Sequence, residues 1–274
     1  MPPFDLVITG GTVVDGLRNP RVMADVAIRD GRIEHIGSIP PEQARQAGRV
    51  FDARGLIVCP GFVDLHTHYD SQVFWDPYCT ISGWHGVTSV VIGNCGFGFA
   101  PVKPADRERA MLTMERNEAV RATTMAAGMP WDWETVPEFL HSLERTPKGL
   151  NVLSYVGLNP LMTYVMGLEA AKSRPANAAE RDRMAGILSD ALDAGACGFS
   201  AQLLGPDSVQ RDYDGTPMVT DVMSRDDLLF FARVLKKKGR GCIQVIGTDP
   251  ELTEALCEAS GRPVIWNALV LAAD

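Results

Sequence analysis

The stretch Cys59-Pro60-Gly61-Phe62-Val63-Asp64-Leu65-His66-Thr67-His68-Tyr69-Asp70 decides how this chain is read. The apolar run Gly55-Leu56-Ile57-Val58 leads into it and predicts a short buried strand that ends in histidines. Side chains alternate faces along a strand, so His66 and His68 project together with Cβ atoms ~6–7 Å apart, and Asp64 shares their face. Two imidazoles so placed can converge on one metal ion with bonds of ~2.0–2.1 Å. The plain alternative is a pair of solvated histidines at a loop edge. The apolar lead-in and the presence of only five histidines in the chain weigh against it.

Length and charge bound the rest. The 274 residues suffice for one large domain or two smaller ones. A formal charge of −8 argues against non-specific nucleic-acid binding. No apolar run reaches the ~18 residues of a membrane span. The opening Met1-Pro2-Pro3-Phe4-Asp5 lacks the basic and apolar pattern of a secretory signal. Cys59, Cys79, Cys95, Cys197, Cys242 and Cys257 are scattered without short paired spacings. That suits reduced thiols and a cytoplasmic location better than a disulfide framework.

The pattern changes after residue 55. Residues 4–58 read as compact β structure, with a Gly10-Gly11 turn and an Arg29-Asp30-Gly31 hairpin signature. From residue 56, strands alternate with helices, which predicts parallel βαβ units. Predicted strands cover the histidine stretch and residues 87–95, 151–157, 196–200, 242–246 and 263–270. Helices are expected over 105–127, from 130 through 143, and over 178–194, 226–238 and 250–259. Six such strands predict a TIM-like (β/α) barrel, an α/β fold with its active site at the C-terminal strand ends. The barrel is incomplete, because residues 56–274 fall short of the ~250 residues a full one takes. A larger polypeptide, a subunit needing a partner and an edge-protected variant all remain open.

Three segments carry a family resemblance. The opening Asp5-Leu6-Val7-Ile8-Thr9-Gly10-Gly11-Thr12-Val13-Val14-Asp15-Gly16 and the histidine stretch resemble the metal-dependent amidohydrolase superfamily. Gly93-Asn94-Cys95-Gly96-Phe97-Gly98-Phe99-Ala100-Pro101 narrows this to the D-aminoacylase (N-acyl-D-amino-acid deacylase) branch. The resemblance implies a small β-sandwich segment over residues 1–55 and a truncated metallo-hydrolase barrel over 56–274. It implies zinc, one ion or two, held by His66, His68 and a first-shell, metal-bridging Cys95. It further implies hydrolysis of a small-molecule C–N amide bond by metal-activated water.

The resemblance fails later in the chain. Its strands five and six each supply a metal-binding histidine, and strand eight a catalytic aspartate. Here Gln244 and Asn267 hold the matching positions, and no histidine follows His141. Strand eight lies past residue 274, so the acid/base residue is unassigned. Two outcomes are therefore open. One is a divergent hydrolase with a single ion, with or without a homo-oligomeric or complementing chain. The other is a non-catalytic or incomplete subunit that needs a partner for strands seven and eight.

Weaker candidates surround this set. Asp70 and Asp76 follow the histidines, where they line a pocket or solvate a loop. Ser200 and Gln202 at the end of strand four are candidates for substrate contact. Arg211, with Tyr213 beside it, is a candidate clamp for a substrate carboxylate. His35, His85 and His141 read as surface or structural residues.

Overall fold

Alternating apolar residues build the first unit of the chain, which ends at Gly61; a second begins at Phe62. The computed structural model describes residues 2–267. In the first unit, β1 (Leu6–Val13) is flanked by β2 (Val22–Arg29) and β4 (Arg49–Asp52). Outside β2 lies β3 (Arg32–Gly37), and β5 (Ile57–Val58) also pairs with β1. Between β2 and β3 the predicted hairpin forms, with Asp30 and Gly31 both left-handed, as a tight turn matching strand twist requires. Its core is Phe4, Val7, Ala27, Ile39 and Ala44, the last on the short helix α1 (Pro41–Arg45).

This corrects the sequence reading at the decisive stretch. The run Gly55–Val58 is not the lead-in strand of the histidines. Its strand, β5, belongs to the first unit, and Ile57 is 69% exposed. The histidine strand proper is β6 (Phe62–Asp64), and His66 and His68 lie beyond its end.

The second unit is an α/β arrangement with two parallel sheets. One has the order β6, β7 (Val87–Ile92), β8 (Asn151–Ser154). The other has the order β9 (Val156–Gly157), β10 (Gly198–Gln202), β11 (Cys242–Ile246), β12 (Val264–Trp266). The expected strand over 151–157 is thus two strands. The chain leaves one sheet and joins the other at Tyr155, whose N–H still reaches Ile92 O. The expected strand over 263–270 is seen as β12, and residues 268–270 lie outside the described residues.

The helices cover these sheets with apolar faces. The expected helix over 105–127 is broken into α2 (Arg107–Glu118) and α3 (Ala122–Gly128), because Ala119 turns left-handed. Next come α4 (Val136–Arg145), α5 (Leu158–Met166) and α6 (Leu168–Ser173). The sequence reading missed α5 and α6 and started α4 too early. The α4 boundary is set by a capping box, in which Thr135 accepts from Glu138 N–H and the Glu138 carboxylate accepts from Thr135 N–H. Three more helices follow: α7 (Ala178–Asp193), α8 (Arg225–Lys238) and α9 (Pro250–Ser260). Met184, Leu188, Ala191 and Leu192 of α7 and Leu228, Phe231 and Leu235 of α8 join Val90, Ile92, Phe199, Ile243 and Val245 in one core.

Candidate metal centre

Three donor atoms meet where strands end. His66 Nε2 lies 3.3 Å from His68 Nε2 and 3.1 Å from Cys95 Sγ, and His68 Nε2 lies 3.7 Å from Cys95 Sγ. A tetrahedral zinc with bonds of ~2.0–2.1 Å to nitrogen and ~2.3 Å to sulfur sets donor separations of about 3.3 Å (N···N) and about 3.6 Å (N···S). The His66–His68 and His68–Cys95 separations match one zinc-like ion, and the His66–Cys95 separation is shorter than that geometry sets. His68 Nδ1 is buried with no partner among the described residues.

The backbone explains why these side chains converge. After β6 the turn is pinned to β7: His66 N–H donates to Asp64 Oδ1, and both Thr67 N–H and its hydroxyl donate to Val91 O. Asn94 Nδ2 bonds Thr67 O and Val91 O, tying the two strand ends together. Cys95 follows β7 in a turn whose Gly93, Cys95 and Gly96 are all left-handed. Gly93 is needed there twice over, since a Cβ would also stand 2.5 Å from Tyr155 O.

A row of neighbours on the second sheet supports this turn. Gly157, Ser200 and Gln244 are register partners on β9, β10 and β11. Gly157 lets the turn approach, because a Cβ there would lie 2.0 Å from Phe97 O. Ser200 accepts from Gly96 N–H at 2.9 Å and donates to Gly93 O. Gln244 Oε1 accepts the Cys95 N–H at 2.7 Å, while its Nε2 is buried without a partner among the described residues. Asn267, just past β12, places its amide 2.7 Å from His66 Nδ1. So Gln244 and Asn267 do reach the site, but through the ligand residues. The amide nitrogen Nδ2 faces Nδ1; with the amide turned over, its oxygen accepts from Nδ1–H and leaves the Nε2 lone pair for a metal.

Burial sets the protonation states. It pushes His68 down to about 4, helped by His66, and lowers His66 against the opposing pull of Asp64. Both imidazoles are therefore neutral at pH 7, the form that ligates. Burial, then Glu118 and Asp70, pushes the Cys95 thiol far up. Asp70 is fully buried and is pushed up to about 7 by that burial, although Gly93 N–H donates to its Oδ1 at 2.8 Å. Its Oδ2 has no partner among the described residues. No lysine or arginine among the described residues pairs with Cys95 or Asp70. A cation would be needed to hold the thiolate.

The weaker candidates take other places. Ser200 and Gln202 are fully buried; Gln202 ends β10, as expected, while Ser200 lies mid-strand and is committed to the Cys95 turn. Gln202 Nε2 donates to Asp221 Oδ2 at 2.6 Å. Arg211 donates to Pro206 O, and Tyr213 is 40% exposed. None of these hydrogen bonds reaches the His66–His68–Cys95 cluster. Asp76 accepts from Thr80 N–H and Gln72 within its own loop.

Sequence reasoning missed Glu118. It ends α2, and its Oε1 lies 3.6 Å from His68 Nε2. An acid in the last turn of a helix runs against the dipole, which is the one signal that marks it in the sequence.

Comparison with known proteins now bears on this geometry. The model of the amidohydrolase family matches residues 49–225. The chain belongs to the amidohydrolase family. Within that family it is similar to the N-acyl-D-glutamate deacylase of Alcaligenes xylosoxydans xylosoxydans, at 37% identity over 79% of this chain and 41% of that protein. It is similar in fold to D-aminoacylase, a protein with a binuclear metal centre, with a TM-score of 0.74 and 28% identity over 96% of this chain and 51% of that one. A zinc and phosphonate complex of N-acyl-D-glutamate deacylase from Bordetella bronchiseptica gives 0.75 and 28%, over 95% and 50%. The chain thus spans about half or less of the length of these relatives.

Proposed function

We propose that the chain carries the zinc-holding part of an amide hydrolase acting on an N-acyl-D-amino acid. His66, His68 and Cys95 hold one ion, and their donor separations are the single observation that carries the reading. A zinc ion bound there would lower the pKa of water and polarise the amide carbonyl. The other residues orient and support. Asn267 fixes the His66 tautomer, Gln244 and Ser200 fix the Cys95 turn, and Asp70 holds that turn at Gly93 N–H. A second ion in the manner of a binuclear centre lacks imidazoles on β11 and just past β12, where Gln244 and Asn267 stand and bond the ligand residues instead. The sheets β6-β7-β8 and β9-β10-β11-β12 we read as an arc of a (β/α) barrel, with every ligand at or past a C-terminal strand end. The six free thiols suit a reducing, cytoplasmic setting.

The test is metal content and turnover. The purified chain, loaded with zinc and desalted, is expected to retain about one equivalent, and Cys95→Ser less than a tenth of that. Release of free amino acid from N-acetyl-D-glutamate, measured on the loaded chain, tests the substrate class. Retention below a tenth of an equivalent by the unaltered chain ends the metal reading.

A further inference from the structure

We propose that Glu118, the last residue of α2, is the anionic partner of the dication held by His66, His68 and Cys95. The inference rests on the metal reading above and adds a residue to that site. The carboxylate is only 20% exposed, and its one close polar neighbour among the described residues is His68 Nε2, at 3.6 Å. It accepts no hydrogen bond and meets no lysine or arginine among those residues.

Its position is unfavourable without a cation. Glu118 stands in the last turn of a twelve-residue helix, where the backbone carbonyls already present negative charge. A part-buried carboxylate with no donor loses hydration without replacement. Its other neighbours add nothing positive. Cys95 and Asp70 are acids.

A dication among the three donors resolves this. Two neutral imidazoles and one thiolate leave the ion with a net positive charge, and a carboxylate beside His68 neutralises it. At 3.6 Å from His68 Nε2 the carboxylate stands beside the cluster, outside the three donors that lie within 4.8 Å of one another, and so acts on the ion's charge from its His68 side.

The experiment is a titration of the metal-free chain with zinc and with cobalt(II), comparing wild type, Glu118→Gln and Glu118→Asp. Glu118→Gln should bind zinc at least about tenfold more weakly and alter the visible cobalt spectrum. Glu118→Asp, which keeps the charge, should lie closer to wild type. The metal-free Glu118→Gln should melt no lower than wild type, because the substitution removes an acid from a helix C-terminus. Equal affinity and an unchanged spectrum in Glu118→Gln overturn the proposal, and so does equal weakening by Gln and Asp. If wild type itself takes up no metal, the metal reading fails first, and this one with it.

Discussion

Asn267 lies at the residue scale of the proposed site, behind one of its imidazoles. Its amide meets the ring nitrogen of His66 that faces away from the donor cluster. Groups that hold a ligating imidazole from behind set its tautomer and affinity, typically by 10–100-fold. Asn267→Leu should therefore weaken zinc binding by about tenfold or more in a chelator-competition titration, while the far-ultraviolet spectrum stays unchanged. Unaltered affinity would mean that His66 needs no such partner. Gln244 acts in a different way. It holds the Cys95 amide rather than a ring, so its effect runs through a backbone whose left-handed Cys95 (φ 57°) is costly for a residue with a Cβ.

At the scale of elements, the site depends on the turn after β7 and the sheet row beneath it. Gly157, Ser200 and Gln244 come from three strands far apart in sequence, yet they share a register. Gly157→Ala places a methyl 2.0 Å from Phe97 O, a separation no carbon can keep. The turn or the strand must shift. The expected loss is about 2–4 kcal/mol in denaturant unfolding, at the upper end for one substitution, together with a matching loss of zinc affinity. A loss of stability with full zinc affinity would separate the row from the site. The break between α2 and α3 also belongs to this scale. Ala119 turns the chain at the point that leaves Glu118 beside His68. A continuous helix over 105–127, the simplest reading of its composition, would not end there.

For the molecule as a whole, the two units have separate cores, one around Val7 and Ala27 and one around Val90, Phe199 and Leu188. Every donor of the proposed metal centre lies in the second. An ion that binds only the folded form stabilises it by about 2.7 kcal/mol at one hundred times its dissociation constant. Calorimetry with zinc and with chelator should therefore move the melting of the second unit by several degrees. An unmoved transition would contradict a folded-state metal site. Among the described residues, no helix is long and apolar enough to cross a membrane.

The family, and the set of residues proposed as ligands, were legible in short runs of the chain. His66-Thr67-His68 and Gly93-Asn94-Cys95-Gly96 are local patterns, and each carries its meaning in residue types and spacing. The resemblance also implies imidazoles at the positions of Gln244 and Asn267. Only the tertiary structure decided what those amides do, because each bonds a residue more than 140 positions away. It moved the lead-in run Gly55–Val58 into another unit, since an apolar run does not name its strand partner. It gave Ser200 to the Cys95 turn, and it brought in Glu118. That carboxylate has no motif, and its proximity to His68 comes from where one helix stops.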